Sequence, residues 1–312
     1  MRAENQDIVP SHRTTTVGRF APSPTGPLHF GSLVAAVGSY CLARQAGGRW
    51  LLRIEDLDTP RVVPGAADDI MHVLEQLGLF WDGPVIWQSR RGEAYQDALE
   101  RLRQSGLLFE CACSRREILA SAPHPGEEGP VYPGTCRPGL APGRRPRMLR
   151  IRVPNDPICF IDGVYGPRAQ NLPTAVGDFV VRRADGLFAY QLAVVVDDAE
   201  FGITQVVRGA DLLLSTPRQI FLQTCLGYRI PHYVHLPLVL SDEGEKISKR
   251  HGTINIVRAG REGELLSRAL RFLGQDVPAE VREAPVNEIL AWAVSHFDLS
   301  RVPGTDRREN QF

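Results

Sequence analysis

A short β-branched stretch at 14–20, a turn-rich Ala21-Pro22-Ser23-Pro24-Thr25-Gly26-Pro27, and an apolar helical pattern over 28–46 open the ordered part of this sequence. Gly47-Gly48 then stops the helix, and Arg49-Trp50-Leu51-Leu52-Arg53-Ile54-Glu55 reads as a largely buried strand. Strand, helix and strand in that order make a βαβ unit, because parallel strands need a crossover. The expected fold is therefore α/β, a Rossmann-like parallel sheet with right-handed crossovers.

Further helices are expected over 64–78 and 91–106, and a strand over 107–111. Between 121 and 147 Pro and Gly supply 12 of 27 residues, too many for a helix or a central strand, so this region reads as an insertion or long loop. Strands are then expected at 148–153, 158–162 and 179–183. A helix over 192–197 and a strand over 203–207 restore the α/β alternation. Thr216-Pro217 opens a helix to 226, with Pro where its missing N–H costs nothing, and a strand follows at 233–240. Two amphipathic helices, 262–273 and 287–297, complete the chain, and no internal repeat is found.

The 36 basic and 36 acidic residues cancel, so net charge points to neither a nucleic-acid nor a membrane partner, and any basic patch must be local. The densest one is Arg144, Arg145, Arg147, Arg150 and Arg152, each of which on its own equally reads as solvated charge. Residues 1–16 are polar and read as a disordered extension rather than a signal or transit peptide. No apolar run approaches the ~18 residues of a membrane helix. A soluble, cytoplasmic monomer is expected.

Two segments carry chemistry. In 22–32 a Gly- and Pro-rich turn leads into a helix whose first N–H groups and dipole suit phosphate. Within it His29 can donate to a phosphoryl oxygen, and Gly31 lets a nucleotide lie against the backbone before Ser32. In 241–252 a polar loop carries Lys246-Ile247-Ser248-Lys249-Arg250, whose mobile ammonium groups suit an α-phosphate under attack and a pyrophosphate leaving group. Together they predict an ATP-using enzyme that activates a carboxylic acid.

Six cysteines in a chain read as cytosolic disfavour a disulfide framework. Cys41, Cys159 and Cys225 read as small buried hydrophobes. Cys111, Cys113 and Cys136 flank the Pro- and Gly-rich region, where Zn²⁺ held by three thiolates and one more ligand would tie down a segment with no core of its own. From the residues alone His124 is the first choice for the fourth ligand, since imidazole is a far commoner zinc ligand than phenol.

The two nucleotide segments in this order resemble the paired signatures of class I aminoacyl-tRNA synthetases. The wider wording Arg19-Phe20-Ala21-Pro22-Ser23-Pro24-Thr25-Gly26, Arg53-Ile54-Glu55-Asp56, Arg208-Gly209-Ala210-Asp211 and Thr216-Pro217-Arg218-Gln219 is similar to the glutamyl branch. This resemblance covers 17–252. Ser32 after the first signature's glycine, the end of the chain near where an anticodon-binding domain would begin, and the cysteine cluster resemble a narrower family, the glutamyl-Q tRNA(Asp) synthetases. These are stand-alone catalytic paralogues that attach glutamate to queuosine in an anticodon rather than to a tRNA 3′ end.

The resemblance implies ATP with Mg²⁺, L-glutamate and queuosine-bearing tRNA(Asp) as ligands. It implies glutamate contacts at Arg19, Ser23, Glu55, Tyr190 and Arg208, where guanidinium forks suit a carboxylate and Glu55 with Tyr190 suits the amine. His29, Gly31, Ser32, Lys246, Ser248 and Lys249 would hold ATP, with His29 and Lys249 catalytic. Tyr132-Pro-Gly-Thr-Cys136 matches the family's Tyr-x-x-x-Cys, which makes Tyr132 the fourth ligand of one structural zinc beside Cys111, Cys113 and Cys136. The implied organisation is an extension 1–16, a first catalytic half 17–110, a zinc insertion 111–147, a second half 148–252 and a short helical region 253–312 without an anticodon-binding domain. A truncated glutamyl-tRNA synthetase charging a 3′ end, a small-substrate nucleotidyltransferase and an inactive RNA-binding module are the alternatives. No residue announces itself as a general base.

Overall fold

Strand β1 (Val17–Phe20) pairs in parallel with β2 (Arg49–Ile54), and helix α1 (Phe30–Gln45) joins them. The computed structural model describes residues 15–122, 125–126, 129–241, 244 and 260–308. Gly47 ends the first crossover with φ +63°, a left-handed turn open to glycine at no steric cost. Helix α2 (Ala66–Gln76) leads toward β3 (Ile86–Trp87), which pairs in parallel with β2. The expected βαβ unit is thus present, trimmed at its ends.

After helix α3 (Gly92–Gln104) the chain builds an antiparallel sheet. In it β5 (Met148–Ile151) lies between β4 (Leu108–Cys111) and β8 (Phe179–Arg182). Strands β6 (Ile158–Asp162) and β7 (Gly166–Gln170) form a separate hairpin, whose second strand the sequence reading lacks. A short helix, Arg115–Ser121, leads into the Pro- and Gly-rich region, where a two-residue ladder joins Pro125–Gly126 to Gly129–Pro130.

Helix α4 (Tyr190–Glu200) returns the chain to the parallel layer. There β9 (Gln205–Gly209) and β10 (His232–Leu236) pair in parallel, joined through helix α5 (Thr216–Leu226). Thr204, just before β9, binds both ends of the Val17 peptide: its N donates to Val17 O at 2.9 Å, and its Oγ1 accepts from Val17 N at 2.9 Å. That juxtaposition sets β9 beside β1. The strand expected over 233–240 is broken at Pro237, which lacks a ladder donor, and resumes as Val239–Leu240.

Helices α6 (Glu262–Phe272) and α7 (Val286–His296) pack on α1, so α1 is buried nearly all round. Phe30 meets Phe272 edge-on at 6.1 Å, and Trp50 is fully buried with its indole N–H on Ser39 Oγ at 3.0 Å. Of the three isolated cysteines, Cys41 is buried, and burial pushes its thiol up to about 12. Cys159 corrects its reading as a buried hydrophobe: it lies exposed on β6, where a two-stranded hairpin leaves one face to solvent. No helix among the described residues is long and apolar enough to cross a membrane.

Candidate active site

The carboxyl ends of β1, β2 and β9 and the start of α1 enclose one cleft. Arg19, Ser23, Glu55, Tyr190 and Arg208 line it together with His29, Gly31 and Ser32. Residues drawn from across the chain are therefore neighbours, as expected of a site outside the carboxyl ends of parallel strands.

His29 is the N-cap of α1: its Nδ1 accepts from Ser32 N at 3.2 Å. That leaves the proton of the neutral ring on Nε2, which lies 3.1 Å from Ser32 Oγ. The same ring thus caps the helix through Nδ1 and sets its Nε2–H against Ser32 Oγ, both residues lining the cleft. A side chain at position 31 would crowd that ring at 3.2 Å, which accounts for Gly31.

Buried charge organises the opposite wall. Arg19 donates through Nε and Nη2 to Asp198, at 3.2 and 3.4 Å, so Nη1 is the nitrogen not committed to that carboxylate. Arg53 spans Asp198 Oδ1 at 2.6 Å and Glu55 Oε1 at 3.1 Å. Burial works against the charged form of Asp198, but Arg19 and Arg53 outweigh it and hold the carboxyl below the usual range. Glu55 goes the other way: burial pushes it up, and Arg53 and Arg19 offset this only in part. Burial, with Glu55 close by, also raises the Tyr190 phenol to about 12, so the hydroxyl stays un-ionised.

The neighbouring Asp197 accepts from Gln88 Nε2 at 2.8 Å, Tyr95 Oη at 2.9 Å and Arg91 Nε at 3.0 Å. It anchors α4 to α3 and so fixes Asp198, the next residue. Sequence reasoning missed Arg53, Asp197 and Asp198. A signal existed for Arg53, a cation inside an apolar strand, which demands a buried anion.

The three sulfurs of Cys111, Cys113 and Cys136 lie within 4.8 Å of one another, all buried, with Cys113 and Cys136 at 3.5 Å. Tyr132 joins them: its Oη is 3.6 Å from Cys111 Sγ and accepts from Cys136 N at 2.8 Å. Burial and the adjacent thiols push Cys113 up to about 11. Three buried sulfurs and a phenol oxygen gathered this closely are a donor set suited to a thiophilic dication, so these residues fit a metal ion. Gly177 backs the site, with φ +70° and its Cβ position only 2.5 Å from Tyr132 O, where any side chain would displace the tyrosine.

Residues 15–281 match the family described as tRNA synthetases class I (E and Q), catalytic domain. Among curated proteins, the chain is 58% identical over 294 residues to the glutamyl-Q tRNA(Asp) synthetase of Geobacter sulfurreducens, covering 92% of this chain and 93% of that one. It is 60% identical to the enzyme of that name from Dechloromonas aromatica, covering 92% and 95%. The chain belongs to the glutamyl-Q tRNA(Asp) synthetase family. Among solved structures, a glutamate tRNA ligase from Elizabethkingia meningosepticum in complex with its amino acid superposes with a TM-score of 0.77 at 29% identity, over 95% of this chain and 67% of that one. The α/β fold is accordingly that of a class I synthetase catalytic domain, and the protein is a ligase.

As a member of the glutamyl-Q tRNA(Asp) synthetase family, the chain brings Arg19, Ser23, Glu55, Tyr190, Arg208, His29, Gly31 and Ser32 into one cleft. Lys246, Ser248 and Lys249 of the second signature, and His124, lie outside the described residues. The arginine cluster is corrected. Arg150 is buried, its guanidinium 3.9 Å from the centre of the Tyr132 ring and donating to Asp178 O at 2.6 Å. Arg144 pairs with Glu117 at 2.7 Å, and Arg152 lies over Phe109. Arg145 and Arg147 remain exposed.

Proposed function

We propose that this chain condenses L-glutamate with ATP to give glutamyl-adenylate, and then transfers the glutamyl group to queuosine in the anticodon of tRNA(Asp). The observation that carries the first half is the shared cleft, in which two guanidinium groups, a buried carboxylate and a phenol stand beside a phosphate-suited helix start. The second half is supported by the relatives' names, over nearly their whole length.

Arg208 and the uncommitted nitrogen of Arg19 bind substrate carboxylate, while Glu55 and Tyr190 receive the ammonium. An oxygen of the α-carboxylate attacks the α-phosphorus of ATP; that O–P bond forms as the bond to pyrophosphate breaks. His29 donates to the phosphoryl oxygens, and Lys249 with Lys246 is assigned to the same charge. Mg²⁺ bound with ATP supplies charge screening of the phosphates. A queuosine hydroxyl oxygen then attacks the carbonyl carbon, AMP leaves, and the hydroxyl proton passes to the released phosphate or to solvent. Zinc on Cys111, Cys113, Tyr132 and Cys136 is structural in this reading, since its ligands lie apart from the cleft.

Glutamate-dependent exchange of pyrophosphate into ATP without tRNA tests the first step; no exchange would end the reading. The acceptor is tested with tRNA(Asp), with and without queuosine, lacking its 3′-terminal adenosine. Glutamate is expected on the queuosine-bearing tRNA, and labelling that requires the intact 3′ end would instead identify a glutamyl-tRNA synthetase.

A further inference from the structure

Arg208, on β9, is only 6% exposed, and its neighbours determine which way the guanidinium faces. Nε donates to His235 Nε2 at 3.0 Å, and Nη2 donates to Thr216 Oγ1 at 2.8 Å and Leu212 O at 3.3 Å. Nη1 is buried and meets no hydrogen-bond acceptor among the described residues. A buried cationic donor left unmatched is costly, and a substrate cleft is where such a donor finds its partner.

The contact at Nε also fixes the state of His235. A guanidinium can only donate, so Nε2 must carry a lone pair and the single ring proton must sit on Nδ1. Nδ1 lies 2.6 Å from Asp162 Oδ2. Asp162 is itself fixed, since its Oδ1 accepts from Val164 N at 3.0 Å and Tyr165 N at 2.9 Å, and its Oδ2 from His235 N at 3.1 Å. Burial first, and Arg208 next to it, lower the proton affinity of the ring against the pull of Asp162 and Asp211. Thr216 Oγ1 at 3.2 Å and the Tyr233 ring, stacked at 6.2 Å, complete its surroundings.

We propose that His235, held as the Nδ1–H tautomer by Asp162, is a positioning residue for glutamate. Its Nε2 lone pair takes up the Nε edge of Arg208 and so commits Nη1 to the substrate carboxylate. The argument rests on Arg208 being a glutamate contact, as proposed above. A carboxylate that selects a histidine tautomer acts through the ring without touching substrate.

Asp162→Asn is the discriminating variant. The amide keeps the size and the Oδ1 contacts, but places a donor against Nδ1, which forces the proton to Nε2 and sets it against Arg208 Nε. In pyrophosphate exchange, D162N is expected to raise the glutamate KM about tenfold or more, with the ATP KM unchanged. Adding His235→Gln, whose side-chain oxygen accepts at the Nε2 position whatever faces Asp162, is expected to recover most of that loss. A merely structural role predicts no such recovery. Equal rises in both KM values, or a D162N/H235Q double variant no better than D162N, overturn the proposal. Arg208→Gln separates the two levels: if it leaves the glutamate KM unchanged, the assignment of Arg208 fails and the proposal with it. If R208Q raises that KM and D162N does not, Arg208 stands and the His235 link alone falls.

Discussion

Arg19 and Asp198, 179 positions apart in the chain, meet as a buried ion pair with Arg19 Nε 3.2 Å from Asp198 Oδ1. The same carboxylate takes Arg53 Nη1 at 2.6 Å, and Arg53 passes on to Glu55 at 3.1 Å. One side chain on α4 thus couples two of the proposed glutamate contacts, one on β1 and one following β2. Removing it takes from the buried Arg19 the carboxylate it pairs with, and from Arg53 one of its counter-charges. Asp198→Ala is expected to lose about 3–5 kcal/mol of stability, and to raise the glutamate KM more than the ATP KM. Urea unfolding and pyrophosphate exchange measure the two effects; wild-type values in both would show that Asp198 organises nothing.

The raised proton affinity of Glu55 makes a pH prediction with a definite sign. A substrate ammonium needs the ionised carboxylate, while burial of the side chain favours the protonated one. Glutamate affinity is therefore complete at a pH above the raised value and falls as pH drops through it, by about tenfold per unit once the proton must be displaced. The inflection is expected above the ordinary glutamate range. Glu55→Gln should bind glutamate more weakly and remove that inflection, so an unchanged acid limb in this variant would place the titration elsewhere.

The elements that could be read from sequence are those whose signals are local. Helix α1 ends where Gly47 takes a left-handed turn, and α6 and α7 show themselves by apolar spacing. Strand β7 contains Gly166, Pro167 and Arg168, which carry no strand signal of their own; only the hairpin with β6 makes it a strand, and as part of a two-stranded ladder it tolerates proline. The site divides the same way. Arg19, Glu55, Tyr190 and Arg208 are legible through the resemblance, whereas Asp198, Asp162 and His235 act through partners 27 to 179 residues away, which no local pattern announces. Arg150 misled because its charge was read without the Tyr132 ring and the Asp178 carbonyl that hold it inside, contacts 18 and 28 residues away in the chain.

The cysteine cluster predicts graded metal loss. Cys136→Ser removes one of three sulfurs, and the protein as prepared without chelator should then carry no zinc. Tyr132→Phe keeps all three but loses both the candidate oxygen ligand and the acceptor for Cys136 N, 2.8 Å away. Zinc should stay bound yet more weakly, by about 10–100-fold in a chelator competition. A C136S protein with full zinc content, or a Y132F protein with unchanged affinity, would sink the corresponding ligand assignment.

The arginines beyond that cluster separate into two kinds with opposite expected behaviour. Arg145 and Arg147 are exposed, and a phosphate backbone is the sort of partner they can reach. Replacing both with Gln is expected to weaken tRNA binding and flatten its dependence on log salt by about 1–2 in slope, without altering glutamate-dependent exchange. Arg150 is buried over the Tyr132 ring and hydrogen-bonded to Asp178 O at 2.6 Å, so Arg150→Gln should destabilise the fold. The loss, about 1–3 kcal/mol, is that of a buried charged hydrogen bond, and it leaves the salt slope unchanged. Salt titrations of binding alongside denaturation curves distinguish the two. An unchanged slope in the R145Q/R147Q variant would remove this edge of the insertion from the tRNA surface, because counterion release must fall when phosphate-contacting charges are lost.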